Sequence, residues 1–190
     1  MNSEIVLRSS SPRRKEILKF LGFDFQVSPS SISEEYLENE TPLDYLQRVT
    51  LEKLGEKTIK DSFLYISADT IVVYNQRIFP KPSTPEINFE FLQILNGKTH
   101  SVFSGLGINY KGATYFSFEE TKVKFRKLED FEIEEYIQTC NPYDKAGGYG
   151  IQDEKSPVEK ITGSYWNVVG FPLRSFFSYH YLWRDFLIKQ

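Results

Sequence analysis

Strand-forming runs alternate with proline-opened helices along this chain, and the alternation predicts an α/β domain. Three observations carry that expectation. Three helices begin alike: Ser11-Pro12, Thr41-Pro42 and Thr84-Pro85 each place a capping hydroxyl before a proline at the first helical position. Strand-forming runs lie before and between them, at Ile5-Val6-Leu7, Asp24–Ser28 and Phe63–Tyr74. The middle of the chain is antiparallel in character, with Ser101–Tyr110 and Ala113–Phe118 flanking a Lys111-Gly112 turn and Thr121–Phe125 reading as a further strand.

Each element has its own signature. The first helix carries Ile17, Leu18 and Leu21 on one face and stops at Gly22. Leu43, Leu46, Val49 and Leu54 give the second an apolar face, and Ile87, Phe91, Ile94 and Leu95 the third, which closes at Asn96-Gly97. Asn75-Gln76 turns the chain into a short strand, Arg77-Ile78-Phe79. A fourth helix, from about Glu129 to Cys140, has Ile133, Tyr136, Ile137 and Cys140 at i, i+3, i+4 and i+7 and ends at Asn141-Pro142. Gly163–Pro172 reads as a strand and turn, followed by an aromatic-rich helix to about Leu187.

The length of 190 residues, with 40% hydrophobic and 16% aromatic content, suits one domain over 1–190 with room for two lobes. A net charge of -3 speaks against a nucleic-acid binder, whose domain is usually basic. One cysteine, Cys140, excludes an internal disulfide framework and a cysteine-based zinc site. The start, Met1-Asn2-Ser3-Glu4, has no basic leader, and no apolar run approaches the ~20 residues of a membrane helix, so a reducing, cytoplasmic setting is expected.

The most informative stretch is Ser9-Ser10-Ser11-Pro12-Arg13-Arg14-Lys15, a strand-to-helix turn with three cations in the first helical turn. Cations there oppose the helix dipole at a cost of roughly 0.3–1 kcal/mol. An anion at the helix end would reverse the sign, since backbone N–H groups, serine hydroxyls and guanidinium forks together make a phosphate cradle. A solvated basic turn and a segment that enters a DNA groove are the alternatives.

Asp69 stands inside an apolar strand beside Ala68, Ile71, Val72 and Val73. An unpaired buried carboxylate is costly, so it is raised in pKa, paired, or bound to metal. A catalytic base or divalent-metal ligand fits; so does an acid that breaks the strand at a bulge or loop. Lys81, between Pro80 and Pro82, has a stiffened backbone that suits a fixed cation near a ligand, or simply an exposed extended loop. Glu34 and Glu35 sit in a polar loop and Lys53 on the second helix, placements ordinarily filled by solvated side chains. In Asp144–Gln152 three glycines permit tight turns or close approach to a ligand, and Gln152 offers the donor and acceptor that a nucleobase edge requires. That stretch is neither a Walker loop nor a dinucleotide fingerprint. His100 and His180 have no metal-ligand spacing, and no nucleophile elbow is present. Anion-binding groups and an awkward acid suit metal-assisted attack on a phosphate ester or anhydride.

Taken in order, Ser9-Ser10-Ser11-Pro12-Arg13-Arg14, Ala68-Asp69-Thr70, Lys81-Pro82, Gly97-Lys98-Thr99-His100, Asp144-Lys145-Ala146-Gly147, Tyr149-Gly150-Ile151-Gln152 and Asn167-Val168-Val169-Gly170 closely resemble the Maf family, the septum-formation-inhibitor-like nucleoside triphosphate pyrophosphatases. Each motif alone is modest, while the ordered set, from about Ile5 to Pro172, is highly specific. The resemblance implies a long, twisted, mixed sheet with flanking helices, two lobes around a cleft, and a fold related to inosine triphosphate pyrophosphatases. It also implies hydrolysis of a nucleoside triphosphate to monophosphate and pyrophosphate with Mg²⁺ or Mn²⁺, house-cleaning of non-standard nucleotides, and a homodimer. Asp69 matches the family's proton acceptor. Arg13, Thr70 and Gln152 match positions linked to substrate choice, and this combination is that of the dTTP- and UTP-directed branch; the branch acting on 7-methyl-GTP differs at all three. Ser9, Arg14, Glu34, Lys53 and Lys81 fall where the family places phosphate or metal contacts, with Asp69 and Glu34 the implied metal ligands.

The chain departs from the family pattern at four places: Arg8 for a small residue, Pro80 for glycine, Asn141 for glutamate, and Asp153 for the glycine after Gln152, where the loop is also one residue shorter. The last change weighs on substrate range more than on the reaction. A purine- or modified-nucleotide-directed pyrophosphatase, a nucleotide-binding regulator of cell division without turnover, and a DNA-binding module are the other readings. Intact Asp69 and Lys81 argue against a pure binder.

Overall fold

A computed structural model describes residues 5–55 and 62–187; the start, Met1–Glu4, lies outside them. The α/β expectation holds. The elements are β1 (Ile5–Leu7), α1 (Pro12–Phe20), β2 (Gln26–Val27), α2 (Pro42–Glu52), β3 (Leu64–Tyr74), β4 (Arg77–Phe79), α3 (Pro85–Leu95), β5 (Thr99–Tyr110), β6 (Ala113–Phe125), α4 (Asp130–Cys140), β7 (Val158–Thr162), α5 (Tyr165–Val169), α6 (Leu173–Ser178) and α7 (His180–Trp183). They form a mixed sheet of 7 strands in the order β2-β1-β3-β5-β6-β7, with β4 paired to β3. β1 runs parallel to β2 and β3, whereas β3–β4 and β6–β7 are antiparallel. Among the described residues no helix is long and apolar enough to cross a membrane.

The chain divides into two compact units. The first draws on the chain up to Asp69, on Ser104–Glu119 and on the chain from Gly170 onward. Its core includes Val6, Leu54 and Tyr65 on one side, and elsewhere an aromatic nest in which Phe23 meets Trp183 edge-on at 5.3 Å and Phe176 stacks on Trp183 at 4.8 Å. The second comprises Thr70–Phe103 and Glu120–Val169. There Val72, Phe79, Leu92, Val123, Phe125 and Ile133 pack with Tyr136 and Tyr149.

The three proline-opened helices start at the expected prolines, but only Thr41 and Thr84 cap with their side chains; the Ser11 hydroxyl makes no capping hydrogen bond. Thr41 makes a full capping box: its hydroxyl accepts from the Asp44 N–H at 3.2 Å, and the Asp44 carboxylate accepts from the Thr41 N–H at 3.3 Å. Thr84 accepts from the Ile87 N–H at 3.3 Å. Gly22 and Gly97 follow their helices with φ of 85° and 64°. Asn75 and Gln76 both have positive φ, the conformation of a tight hairpin turn.

Five expectations need correction. The strand expected at Asp24–Ser28 is only β2, Gln26–Val27. Leu43 lies beside the apolar stripe of α2 and is exposed, while Tyr45, Leu46, Val49 and Thr50 are buried. Ala113–Phe118 and Thr121–Phe125 are one strand, β6, because Glu119 and Glu120 are both used within it: Glu119 accepts from the Ser175 N–H at 2.9 Å and Glu120 pairs with Lys122 at 2.6 Å. The segment read as strand at Gly163–Pro172 contains the helix α5 instead, and the strand precedes it as β7. Ser164 starts that helix, its carbonyl accepting from the Val168 N–H at 3.4 Å. The Asn167 amide then fixes it, donating to the Val102 carbonyl at 3.0 Å and the Thr121 hydroxyl at 2.9 Å. Finally, the aromatic-rich C-terminal helix is broken into α6, α7 and a 3-10 turn, with Phe176 and Trp183 inside and Phe177 and Tyr181 outside.

The glycine-rich stretch answers to packing. Gly148 has φ 69°, and a Cβ there would run into the Asn88 amide, which donates to the Gly148 carbonyl at 3.0 Å.

Candidate active site

Asp69 is buried within β3 and does not break the strand. The acid is paired. Lys53 Nζ lies 2.5 Å from Asp69 Oδ1 and 2.8 Å from Glu34 Oε1, so one ammonium is clasped by two carboxylates. The Lys53 and Asp69 side chains are 13% and 12% exposed, while Glu34 is 46% exposed, so the cluster is buried at the strand and opens at the loop. The local sequence explains the meeting. Lys53 is the C-cap of α2, and α2 is pinned to β3 one turn earlier, where the Ser67 hydroxyl donates to the Thr50 carbonyl at 2.6 Å. Ser67 and Asp69 share a face of β3, so the helix end is brought over the acid.

Glu34 is held in place by residues that sequence reasoning passed over. The Tyr45 hydroxyl donates to the Glu34 carbonyl at 3.0 Å. Arg48 donates to the Glu35 carbonyl at 2.8 Å and grips both Glu40 carboxylate oxygens, at 2.7 and 2.9 Å. Tyr36 stacks on Tyr45 at 5.3 Å. Tyr45 and Arg48 are three apart on α2, and that helical spacing is the one signal that could have found them. Burial, followed by the nearby charges of Asp69 and Glu34, pushes the Tyr45 phenol up to about 12, so it remains a donor at neutral pH.

The serine turn is organised by Arg14. Its Nη1 donates to the buried Ser9 hydroxyl at 3.0 Å and its Nε to the Gly170 carbonyl at 2.9 Å. Ser9 Oγ also accepts from the Ser11 N–H at 3.3 Å. These bonds join the first motif to the end of the Asn167–Gly170 motif. Burial lowers the Arg14 pKa, and the carboxylates of Asp69 and Glu34 act against that shift. The first turn of α1 contains no acid to oppose Arg13, Arg14 and Lys15. Arg8, one residue before Ser9, is turned elsewhere: it donates to the Ser28 hydroxyl at 2.9 Å and lies over the Tyr65 ring at 5.1 Å.

The first unit therefore brings together Glu34, Lys53 and Asp69, and separately joins Ser9 to Arg14, with half-buried Arg13 beside them in α1. Thr70, half-buried in β3, and the exposed Lys81 and Gln152 belong to the second unit.

Among the described residues no group of three or more His, Cys, Asp or Glu is arranged to hold a metal. Asp69 and Glu34 nonetheless suit a hard divalent cation. Both are oxygen donors, and they already converge on a positive charge, the Lys53 ammonium. Mg²⁺ is commonly held by one or two carboxylates together with substrate phosphates.

Known proteins resemble this chain along nearly its whole length. A protein named dTTP/UTP pyrophosphatase from Leptospira borgpetersenii is 51% identical over 96% of this chain and 98% of its own. Another of that name, from Thermosipho africanus, is 43% identical over 90% of this chain and 88% of its own. Among solved structures, the Staphylococcus aureus Ham1 protein aligns with a TM-score of 0.42 at 12% identity, covering 64% of this chain and 71% of its own. The family model described as Maf-like protein matches residues 4–180, taking in the serine turn, the Asp69 strand and the glycine-rich stretch alike, and the chain belongs to that family.

Proposed function

We propose that this chain is a single catalytic domain that hydrolyses dTTP and UTP to the nucleoside monophosphate and pyrophosphate. The observation that carries the reading is the buried Asp69 carboxylate, paired with Lys53 beside Glu34 in a chain that otherwise offers anion-binding groups. Relatives that match nearly end to end carry the name dTTP/UTP pyrophosphatase.

In this reading Asp69 accepts the proton of the attacking water. Its Oδ1 accepts from Lys53, and Oδ2 would take the proton of the water. Oxygen bonds to the α-phosphorus, the bond to the bridging oxygen breaks, and pyrophosphate departs with that electron pair. Lys53, Lys81 and the N-terminus of α1 bind the triphosphate, and Arg14 keeps the serine turn in shape for it. Asp69 and Glu34 would hold Mg²⁺ or Mn²⁺, which neutralises phosphate charge and polarises the phosphoryl group. Arg13, Thr70 and Gln152 select the base.

Pyrophosphate release from dTTP, UTP, CTP, GTP and 7-methyl-GTP, each with Mg²⁺ or Mn²⁺, tests the proposal. Release from dTTP and UTP above the rest is expected. Release from another nucleotide alone overturns the specificity, and no release by folded protein overturns the reaction.

A further inference from the structure

The turn that carries Gln152 is closed by a side chain from outside it. Tyr136, on α4 and only 2% exposed, reaches the turn with its hydroxyl. The oxygen accepts from the Gly150 N–H at 2.9 Å, and the proton is donated to Asp153 Oδ2 at 2.5 Å. One phenol thus ties both ends of the segment Gly150–Asp153. The backbone repeats the closure, with the Asp153 N–H donating to the Gly150 carbonyl at 3.3 Å and the Ser156 N–H to the Asp153 carbonyl at 3.0 Å. Lys145 Nζ, 3.8 Å from Asp153 Oδ1, offsets the carboxylate charge.

The fit is close. A Cβ at Gly150 would stand 2.7 Å from both Asp153 carboxylate oxygens, so the turn is built around that side chain. Burial, then the bond to Asp153, raise the Tyr136 pKa, so the phenol keeps its proton at neutral pH. Asp153 has its charge spent on Tyr136 and Lys145, while Gln152, between the two tied residues, is exposed.

We propose that Tyr136 and Asp153 are positioning residues that hold Gln152 in one direction and thereby sharpen discrimination of the uracil and thymine edge from that of cytosine. The proposal rests on Gln152 meeting the base. Uracil and thymine present an acceptor at position 4 where cytosine presents a donor. A primary amide offers both roles, so a loosely held glutamine re-aims to suit either base. On a fixed turn the wrong base leaves a polar group unpaired, and the mismatch carries its full penalty. Asp153 supplies that fixity through its side chain.

The experiment measures kcat and KM for UTP and CTP in the wild type and in Tyr136→Phe, Asp153→Ala, Asp153→Asn, Gln152→Ala and the Gln152→Ala/Asp153→Ala double variant, with thermal melts to verify folding. Tyr136→Phe and Asp153→Ala should each lower the UTP/CTP ratio of kcat/KM by about two- to tenfold, the range one net hydrogen bond supports, mainly through KM for UTP. Asp153→Asn retains an acceptor for Tyr136 and should keep the ratio. In the Gln152→Ala background, Asp153→Ala should change the ratio no further. If Gln152→Ala shifts the ratio while Tyr136→Phe and Asp153→Ala leave it alone, the clamp is wrong and the base reading stands. If Gln152→Ala itself leaves the ratio unchanged, the base reading is wrong and the clamp falls with it. A loss in Asp153→Asn equal to that in Asp153→Ala would assign the effect to charge and overturn the clamp. Should Tyr136→Phe fail to fold, the partly exposed Asp153 decides the matter alone.

Discussion

Two regions of this molecule bury a titratable group in apolar surroundings, and they meet the cost in opposite ways. In the first unit Asp69 keeps company with charge: Lys53 lies against it, and Glu34 shares the same ammonium. In the second, His100 is 2% exposed, its Nε2 2.7 Å from the Tyr149 hydroxyl and its ring edge-on to Phe125 at 4.8 Å. Its Nδ1 is buried without a hydrogen-bond partner among the described residues. Burial pushes its pKa down to about 4. Neutrality is the cheaper solution for a group that only packs. Keeping a carboxylate and an ammonium together in a site that opens only at the Glu34 loop is the dearer one, and it makes sense where charge is needed for chemistry. His100 fills a core, whereas the two carboxylates and the lysine line the site proposed to be reactive.

The largest expected effect breaks the first region. Asp69→Asn keeps the shape and an oxygen acceptor for Lys53 but removes the base. Turnover of dTTP should fall by about 10²–10⁴-fold, the usual range for losing a positioned general base, with little change in melting temperature. Near-normal pyrophosphate release from that variant would remove Asp69 from the mechanism.

The next concerns His100, and its sign follows from linkage. The unfolded chain takes up a proton near 6.5, whereas the folded chain resists until about 4. The contribution is therefore complete above about pH 6.5 and is lost as pH falls toward 4, to a total of about 3 kcal/mol. Urea unfolding at pH 7 and pH 4 of the wild type and of His100→Leu isolates the effect. The variant, weaker at pH 7 because the Tyr149 hydroxyl is left unpaired, should lose about 3 kcal/mol less across the window. Equal losses would mean that burial does not hold this histidine neutral.

Lys53→Met sharpens the comparison from the other side. It leaves two carboxylates facing each other without their cation. Asp69 is largely buried and Glu34 is not, so the cost should fall below that of a fully buried pair, at about 1–3 kcal/mol. Millimolar Mn²⁺ should recover part of the loss, because a ligand that binds only the folded state stabilises it. Unfolding with and without Mn²⁺ reads both numbers. A variant indifferent to Mn²⁺ would argue against Asp69 and Glu34 as a cation site.

The same contrast explains what the sequence could disclose. The three proline-opened helices are legible because the signal is local, a hydroxyl, a proline and an apolar stripe, although the Ser11 hydroxyl does not cap. Asp69 was legible because an acid amid Ala68, Ile71, Val72 and Val73 is anomalous wherever it folds. Its pairing was not, since Lys53 reaches it only through the packing of α2 on β3, marked by the Ser67–Thr50 bond. The sequence of helix α5 reads as strand for a similar reason. Its Tyr-Trp-Asn-Val-Val run favours β structure locally, and the Asn167 bonds to Val102 and Thr121, 65 and 46 residues away, override that preference. Tyr136 was legible as a core position on α4, but the two hydrogen bonds at its far end were not.

The smallest effect tests whether the Glu34 loop matters at all. Tyr45 holds that loop by a single bond to the Glu34 carbonyl, and Arg48 holds it by bonds further along, so Tyr45→Phe should cost only about 0.5–1.5 kcal/mol of stability. The packing of Tyr45 against Tyr36 survives the substitution, since the ring is unchanged. What should change is the position of the Glu34 carboxylate relative to Lys53 and Asp69. If Glu34 serves the cation, Tyr45→Phe should raise the Mn²⁺ concentration for half-maximal activity several-fold while leaving turnover at saturating Mn²⁺ nearly intact, as expected when a supporting partner of a metal ligand is removed. Lower turnover at saturating Mn²⁺, with an unchanged midpoint, would instead make Glu34 a partner of Lys53 alone. The paired carboxylates would then differ in kind, with Asp69 reactive and Glu34 there to hold the lysine in place.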